Sequence, residues 1–491
     1  MPTEKSFTQV FDYDIIIIGA GISGINAAYR IQTQAPRGMS YAVFEGRGSV
    51  GGTWDLFRYP GIRSDSDIFT YSFSWNPWPK RDTFASGADI KQYMLQSAKT
   101  HDIYKHIHFN RAVHRANWNP EHAVWELHSS TNGSKEHSIH RARFLFLATG
   151  YYDYQQPLQV DIPGIENFKG RVIHPQFWPD NYDYSGQNVV VIGSGATAVS
   201  VVPAMAKTAK HVTMLQRSPT YILPQPKSSI LTVLIFAILP AHLALWSLQL
   251  YWAFQYQVLI LLCQNFPNTV KNVIRYINKR QLPSNVPVDP HFNPRYKPWD
   301  QRLCASVDGD IFAAIRSNKA SIVTDSIQRV AGNEIKLSSG EVLRPDVIVT
   351  ATGLKVKVGG GIQMTLNNED FDPARQFMWK GSMLQNLPNV FFSVGSVDVS
   401  WTLVADCTAQ LAVRLLWELE RRNAKVVRPH LDKPEEMEVK PLLSLQSTYI
   451  KRAAGMLPKT GTGVWSARSS NYLADLLAAK WGDITSGLKF E

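Results

Sequence analysis

Two glycine-rich turns, each placed between an apolar strand and a helix, constrain this chain more than any other feature of its sequence. The first unit reads YDIIIIGAGISG over residues 13–24, and the second reads NVVVIGSGATA over residues 188–198. In each unit the β-branched run predicts a buried parallel strand, and the residues after the turn predict a helix packed on that strand. The repeat predicts an α/β fold with two Rossmann-like dinucleotide-binding domains.

Other apolar strands predict how the chain divides between these domains. The segments RFLFLATG at 143–150 and DVIVTATG at 346–353 both end in Ala-Thr-Gly, as expected for strands that lead from one domain into another. A third segment, NVFFSVG at 389–395, is predicted to return the chain to the first sheet. We therefore predict one discontinuous domain at 1–150 and 345–491. The second domain is predicted at 151–344, with an apolar helical insert at about 222–285.

The first turn favours FAD. Gly19 permits a tight turn, Gly21 lets a pyrophosphate approach the backbone, and Gly24 lets the helix pack close to the strand. Ser23 lies at the start of this helix, where free N–H groups favour phosphate. Glu45 ends the next strand, and a carboxylate there accepts both ribose hydroxyls but repels a 2′-phosphate. The first unit is therefore predicted to bind FAD or NAD rather than NADP.

The second turn is followed by a base where the first is followed by an acid. Its next strand, HVTMLQR, ends in Arg217 and Ser218. Arginine offers a planar fork to a 2′-phosphate and serine adds a hydroxyl donor, which favours NADP(H) over NAD(H). The turn residues assigned to this cofactor are Gly193, Ser194, Gly195, Ala196, Thr197 and Ala198.

Composition narrows the classes of function. The 491 residues are 44% hydrophobic and 19% charged, which is typical of a folded protein of two or three domains. The net charge of +11 suits an anionic partner, but no nucleic-acid-binding motif or concentrated basic stripe occurs. The three cysteines form no CxxC pair, so the sequence argues against a disulfide reductase and favours a cytoplasmic protein.

One apolar stretch leaves the relation to membranes open. Residues 230–263 contain no Asp, Glu, Lys or Arg, and this length would suffice for a membrane span. Pro240, His242 and three glutamines interrupt the stretch. The sequence is compatible with a buried or partly exposed helical insert, with an interfacial membrane contact, and with a true span. The polar N-terminus does not resemble a secretory signal.

Two further motifs identify a family. Residues 51–67 read GGTWDLFRYPGIRSDSD, which matches GGxWxxxxYPGxxxD. Residues 168–179 match FxGxxxHxxxW(P/D) through Phe168, Gly170, His174 and Trp178. With these motifs in order, the chain resembles the type I Baeyer–Villiger monooxygenases from about residue 13 to residue 410. Several stretches, including YKPWDQRLC at 296–304, are similar to the ethionamide-activating subgroup of these enzymes.

The resemblance implies roles for individual residues. In the family an arginine beside the flavin stabilises negative charge during oxygen transfer, and the matching residue is Arg302, with Asp65 as the partner that orients it. The fingerprint around His174 and Trp178 lies in an interdomain linker of the family and implies coupling of domain movement to nicotinamide binding. The resemblance also implies FAD contacts at Gly52, Thr53, Trp54, Asp55, Tyr71 and Val113.

The resemblance implies an enzyme that uses FAD and NADPH to insert one atom of O2 beside a ketone carbonyl. Hydrophobic ketones are the expected substrates, together with sulfides or thioamides. The alternatives are an S- or N-oxygenating flavin monooxygenase with little ketone activity and a non-catalytic, membrane-associated redox sensor. One departure is Gln301, where many members carry a lysine that contacts the 2′-phosphate. The preference for NADPH then depends on Arg217, Ser218 and Lys297.

Overall fold

The computed structural model describes residues 11–131, 137–396, 398–443, 447–468 and 471–491. Each glycine unit lies in one of its two largest sheets. The strand Tyr13–Ile18 pairs in parallel with a strand on either side. Ile15 and Ile17 point into one hydrophobic cluster, and Ile16 and Ile18 point into another. Both faces of this strand are therefore buried, which explains its unbroken isoleucine run.

The first sheet joins strands from the beginning of the chain with strands from beyond residue 360. Val390–Phe392 pairs in parallel with the strand at 137–147 and so returns the chain to this sheet. The other eight strands follow one another in the order Glu369–Asp370, Gln363–Leu366, Arg111–Asn119, Val124–Thr131, His137–Leu147, Tyr13–Ile18, Tyr41–Phe44 and Ile107–His108.

The second sheet is entirely parallel and is built from the middle of the chain. Its strands lie in the order Ala320–Thr324, His211–Gln216, Asn188–Ile192, Val347–Thr350 and Arg171–Ile173. The strand of the second glycine unit is central, and the strand that precedes His174 forms one edge. Parallel pairing between distant segments requires crossovers, which the helices supply.

The helices cover the two sheets and form the insert. Trp401–Arg422 packs against Ile22–Gln34, and a largely buried ion pair between Arg30 and Asp406 (2.7 Å) joins them. The described helices are Ile22–Gln34, Thr53–Leu56, Ile68–Tyr71, Gly87–Thr100, Ala196–Met205, Ile230–Ile238, Ala241–Asn265, Pro267–Gln281, Asp310–Arg316, Trp401–Arg422, Thr448–Ala453 and Tyr472–Trp481.

Short strands complete the structure. One pair supports the insert, since Ile222–Gln225 runs parallel to Cys304–Val307. The segment predicted as helical from about residue 222 therefore begins as a strand, because its backbone pairs with the segment after Arg302. The remaining short strands are Ile327–Ala331, Glu334–Leu337, Val342–Leu343, Met378–Trp379, Met383–Leu384, Val427–Pro429, Leu488–Phe490, Lys440–Pro441 and Lys459–Thr460.

The apolar insert forms three helices, at 230–238, 241–265 and 267–281. Pro240 separates the first two helices, and Pro267 begins the third, as expected for a residue that lacks an N–H group. Among the described residues, no helix has both the length and the hydropathy needed to cross a membrane.

Candidate active site

The first glycine turn leaves room for a pyrophosphate against the backbone. Gly19 has a φ of +108°, and a Cβ there would lie 2.5 Å from the Ala148 carbonyl oxygen. Gly21 faces Gly52, which begins the helix Thr53–Leu56, so two backbones without side chains border one cleft. A Cβ at either position would point at the Cα of the other glycine, 3.2 to 3.8 Å away. This cradle fits the phosphate groups of a dinucleotide.

Glu45 lies at the edge of the same turn. Its carboxylate accepts hydrogen bonds from the Ala20 N–H (2.7 Å) and the Arg47 N–H (2.9 Å). Burial raises the pKa of Glu45, while these N–H donors and the Arg47 charge oppose the shift. The carboxyl group is thus fixed beside the glycine cleft, where an acid that binds a ribose is needed.

The residues after Gly52 surround this cleft. The Asp55 carboxylate lies between Arg47 and Lys91, at 2.6 Å from each, and these cations hold its pKa below the usual range although burial opposes them. The Thr53 hydroxyl lies 3.1 Å from the Tyr154 hydroxyl. Trp54 and Tyr71 are joined by a hydrogen bond of 2.7 Å from the indole to the phenol oxygen. Ser23 accepts a hydrogen bond from the Trp401 indole.

Val113 lies apart from this group but close to the far end of the cleft. It belongs to the strand Arg111–Asn119, and the Arg111 N–H donates to the Glu45 carbonyl oxygen (2.8 Å). The side chain of Val113 packs against the core on one face of the first sheet. It is therefore adjacent to the segment that carries Glu45 rather than to Gly52.

The second glycine turn is more open. A Cβ on Gly193 would lie 2.2 Å from the Ala351 carbonyl oxygen, whereas one on Gly195 would meet no atom within 4 Å. The Ser194 hydroxyl donates to the Ser218 carbonyl oxygen (2.9 Å), which ties the turn to the end of the next strand. Arg217 and Ser218 are exposed there. An approach to this turn is therefore open to a nucleotide.

The helix after the second turn is also where the two halves of the structure meet. Ala198 is buried against the second sheet, and Ala196 packs on the edge of the same core. Thr197 lies beside the hydroxyl of Tyr59, which follows the Gly51–Asp55 segment. A Cβ on Gly61 would lie 2.4 Å from the Ser200 carbonyl oxygen. The YPG segment thus packs directly on the second nucleotide-binding helix.

Arg302 and Asp65 lie in the wall of one cavity of about 230 Å³. Most of its other lining is apolar or aromatic, and the inner face of the helix Ala241–Asn265 contributes part of it. The remaining lining residues are Phe84, Leu223, Gln225, Trp252, Gln255, Tyr256, Leu259, Trp299, Leu303, Cys304 and Ala305. The structure therefore brings together the two residues assigned to catalysis, although 237 positions separate them in the chain.

Electrostatics rather than a hydrogen bond couples these two residues. Burial raises the pKa of Asp65, and the positive charges of Arg302 and Arg63 act in the opposite direction. Arg63 is occupied by an ion pair with Asp310 (2.5 Å). Within the described part of the chain, Arg302 donates no hydrogen bond, so its donors are free to meet a group in the cavity.

His174 lies between the two chain segments that connect the sheets, one near Asp153 and the other near Gly353. The His174 Nδ1 accepts a hydrogen bond from the Gln176 N–H (3.2 Å), and its buried Nε2 has no partner of normal geometry in the described chain. Burial lowers the pKa of His174, whose ring lies beside the Gly353 backbone. Gln176 donates to the Asp153 carbonyl oxygen (2.6 Å). His174 therefore lies beside the connecting segment at Gly353, and Gln176 is hydrogen-bonded to the connecting segment at Asp153.

The other fingerprint residues pack within the second half of the structure. A Cβ on Gly170 would lie 2.3 Å from the Asp346 carbonyl oxygen and 2.6 Å from the Phe168 ring, so this close approach requires glycine. Trp178 packs on the core of the second sheet and contacts Tyr184 edge to face. Neither Phe168 nor Trp178 lies in the wall of the cavity that holds Arg302.

Sequence reasoning missed several residues of the site. Tyr154 covers the cleft between Gly52 and Gly150, and Trp252 and Tyr256 bring the insert into the cavity wall. The Trp252 indole N–H is buried without a hydrogen-bond partner among the described residues. Helical spacing could not have singled out Trp252 and Tyr256, because the helix that carries them has apolar residues on two opposite faces. The position of Tyr154 depends on the path of the chain after Gly150.

Comparisons with known proteins agree with this geometry. Residues 13–230 match the FMO-like family of flavin-binding monooxygenases. The chain belongs to this flavin-binding monooxygenase family. It is 40% identical over 482 residues to the FAD-containing monooxygenase EthA of Mycobacterium tuberculosis, with 97% of each chain covered. It is 39% identical to EthA of Mycolicibacterium smegmatis, with 96% of this chain and 95% of that chain covered.

Solved structures with little sequence identity share the fold. The crystal structure of OTEMO in complex with FAD and NADP superposes with a TM-score of 0.74 at 20% identity, covering 98% of this chain and all of that one. The open crystal structure of cyclohexanone monooxygenase gives 0.74 at 19% identity, covering 98% and 99%. The predicted fold class, the family, the class of enzyme and the flavin cofactor are thereby confirmed.

Proposed function

We propose that this flavin-dependent monooxygenase is a Baeyer–Villiger enzyme that inserts one oxygen atom of O2 beside a ketone carbonyl to give an ester or lactone. The observation that carries the proposal is the position of Arg302, whose free guanidinium lies in the wall of an apolar cavity beside Asp65. FAD, reduced by NADPH, supplies the electrons that activate O2, and the second oxygen atom leaves as water.

The cavity residues have separable tasks in this reaction. The guanidinium of Arg302 stabilises negative charge that develops on the carbonyl oxygen, because it keeps its charge and presents several N–H donors. Asp65 acts on Arg302 through its charge. Phe84, Leu223 and Leu259 exclude water and bind the apolar part of the substrate. An apolar lining of this kind favours hydrophobic ketones, sulfides or thioamides.

The two cofactors are assigned to the two glycine units. FAD would lie along the cleft bordered by Gly21 and Gly52, with its ribose at Glu45. Gly19, Ser23, Gly24 and the residues after Gly52 would support it. NADPH would bind the second turn, which Gly195 leaves open. This assignment keeps the predicted division into a domain at 1–150 and 345–491 and a domain at 151–344.

NADPH preference rests on the exposed pair Arg217 and Ser218. The Arg217→Ala variant is expected to weaken NADPH binding much more than NADH binding, since only NADPH carries the 2′-phosphate that a guanidinium holds. Titration of both nucleotides into the FAD-loaded protein measures the two dissociation constants. Equal losses for both nucleotides would refute this role and would leave Lys297 as the candidate.

One experiment tests the oxygenation. The FAD-loaded enzyme is incubated with NADPH, ¹⁸O2 and a simple ketone, and the products are analysed by mass spectrometry. An ester or lactone with one ¹⁸O atom supports the proposal. Sulfoxide from a sulfide without ester from any ketone would favour an S- or N-oxygenating enzyme. Absence of any NADPH-dependent product would favour the redox sensor.

We also propose a cytoplasmic location with a peripheral membrane contact through the insert. The described cysteines, Cys263, Cys304 and Cys407, are free and buried, which suits a reducing compartment. The first two insert helices expose many large apolar side chains, which a protein surrounded only by water rarely does.

A further inference from the structure

The helix Ala241–Asn265 is apolar on two opposite faces. One face points away from the protein and carries side chains that are 36% to 65% exposed. Their spacing of three to four residues places them on a single side of the helix, over a length of about 28 Å. The residues of this outer face are Leu243, Trp246, Leu250, Phe254, Val258, Leu261 and Leu262.

The preceding helix extends this surface. In Ile230–Ile238 the side chains of Ile230 and Ile238 are 80% and 77% exposed, and Val233 and Leu234 are about half exposed. Together with the outer face they form one apolar surface without a charged residue. A surface of this extent indicates a partner, since isolated apolar residues are common on proteins but long stripes are not.

The inner face of the same helix belongs to the active site. Ala244, Leu248 and Ile260 are buried in the protein. Trp252, Gln255, Tyr256 and Leu259 line the cavity that contains Arg302 and Asp65. A single helix therefore separates the exposed apolar surface from the substrate cavity, and the helix is only about 10 Å thick.

The charges around the insert indicate what kind of partner covers it. From Ile222 to Val288 the chain carries five lysine or arginine residues and no aspartate or glutamate. On the last insert helix, Lys279 and Arg280 are exposed and form no ion pair with any residue that the structure describes. Arg275 is paired with Asp289. An apolar stripe on one insert helix, together with unpaired cations on the next, complements a bilayer with anionic head groups.

We infer that the outer face of Ala241–Asn265 docks the enzyme on an anionic leaflet and that long-chain ketones reach the cavity from the lipid past this helix. The first part stands on the exposed surface and its charge. The second part rests on the proposed Baeyer–Villiger function, because it names the substrate class of that same cavity. A water-soluble ketone needs no such route.

Vesicle flotation tests the docking surface with the FAD-loaded, full-length protein. Wild type is expected to float with vesicles of phosphatidylcholine and phosphatidylglycerol and to float poorly with phosphatidylcholine alone. The double variant Trp246→Ser/Phe254→Ser should lower the partition coefficient about tenfold or more, because two large apolar side chains no longer enter the interface. The matched control Trp481→Ser/Leu477→Ser, also exposed but outside the insert, should float like wild type.

The charge contribution has its own variant and control. Lys279→Gln/Arg280→Gln should reduce the preference for anionic vesicles by up to about thirtyfold, since each basic residue near the surface contributes about 1 kcal/mol. Lys319→Gln/Lys336→Gln removes the same charge from two exposed positions elsewhere and should leave flotation unchanged. Equal effects of the two pairs would show a response to net charge only and would overturn the choice of an anionic leaflet through this surface.

Kinetics test the route. With methyl tetradecyl ketone dissolved in the vesicles, kcat/KM of Trp246→Ser/Phe254→Ser should fall about tenfold, whereas kcat/KM for methyl ethyl ketone in buffer should stay at the wild-type value. Loss of flotation without a change for the lipid-dissolved ketone would overturn the route. If the wild-type protein does not float with vesicles, the docking surface is wrong. It is also wrong if Trp246→Ser/Phe254→Ser abolishes self-association of the enzyme and leaves its binding to vesicles unchanged. If the wild-type enzyme oxidises neither ketone, the proposed function is refuted. The flotation assay would still test the docking surface, because it does not depend on activity.

Discussion

At the scale of single residues, Arg302 keeps its donors free because its neighbours hold the loop that carries it. The Trp299 indole donates to Asp398 (2.9 Å), and the Cys304 N–H donates to the Tyr221 carbonyl oxygen (2.8 Å). Trp299 has a φ of +76°, a conformation that is unfavourable for a bulky side chain. The loop is thus fixed on both sides of Arg302, and the guanidinium is left to act in the cavity.

The proposed role of Arg302 predicts a loss of activity without a loss of structure. Arg302→Ala should lower kcat for ketone oxidation by about a hundredfold to a thousandfold, the usual cost of removing a donor to a developing oxyanion. Steady-state product formation measures this effect. FAD content and Tm should match wild type, and Arg302→Lys should recover part of the rate. Ketone oxidation at the wild-type rate in Arg302→Ala would contradict the assignment.

Asp67, beside the active-site loop, predicts a pH dependence of stability. Its carboxyl group caps the helix Ile68–Tyr71 through the Thr70 N–H (2.8 Å) and hydroxyl (2.6 Å). Burial raises its pKa to about 6, above its ordinary value of 3.8, although these hydrogen bonds oppose the shift. A raised carboxyl pKa favours the folded state at low pH, and this contribution is lost as the pH rises from about 4 through 6.

The Asp67→Asn variant isolates this effect, because asparagine can still cap the helix but cannot ionise. The stability of wild type relative to the variant should therefore fall between pH 4 and pH 6 and stay constant above pH 7. Thermal unfolding of both proteins at a series of pH values measures the difference. A constant difference across this range would show that Asp67 does not titrate there.

At the scale of elements, individual glycines of the two turns are required for different reasons. Gly24 and Gly193 fit against backbone, since added Cβ atoms would lie 1.8 and 2.2 Å from carbonyl oxygens. Gly195 meets no atom within 4 Å, so nothing in the protein itself requires glycine there. Its identity follows from the space that a bound pyrophosphate would need.

This contrast predicts different outcomes for two alanine variants. Gly195→Ala should fold and keep its FAD, while its affinity for NADPH falls about tenfold or more. Gly24→Ala should lose stability and FAD content together, because the helix must move away from the strand. FAD absorbance, Tm and nucleotide titration separate the outcomes. Unchanged NADPH affinity in Gly195→Ala would remove the second turn from the cofactor site.

At the scale of the whole molecule, two chain segments connect the sheets, one after Leu147 and one after Thr350, and these segments contact each other. Tyr152 and Val356 form an antiparallel bridge, and the buried Asp153 carboxylate binds Lys355 (3.2 Å) and Lys357 (3.7 Å). His174 lies against this junction, since Gln176 holds the Asp153 backbone. We therefore expect a change at the junction to affect the coupling between the two halves more than the folding of either half.

His174→Ala is predicted to retain FAD and Tm while it lowers the yield of oxygenated product per NADPH consumed. The physical reason is that the His174 ring lies between the two segments that connect the sheets and does not line the cavity with Arg302. Parallel assays of NADPH oxidation and product formation give the coupling ratio. A ratio equal to wild type, with unchanged kcat, would show that His174 only packs.

The sequence by itself determined the features that depend on local chemistry. Strand, turn and helix around Gly19 and Gly193, and the acid at Glu45 against the base at Arg217, follow from short-range sterics and charge. The motifs also determined the family. The division into domains and the roles of individual site residues remain predictions, since they concern bound cofactors and movement.

Only the tertiary structure decided which distant residues meet. The cavity joins Asp65, Arg302 and the inner face of Ala241–Asn265, and no local pattern encodes such contacts, because they depend on how three chain segments pack. The helix Ala241–Asn265 is apolar on two opposite faces, so its sequence could not distinguish the buried face from the exposed one. Packing against the cavity buried one side and left the other facing outward.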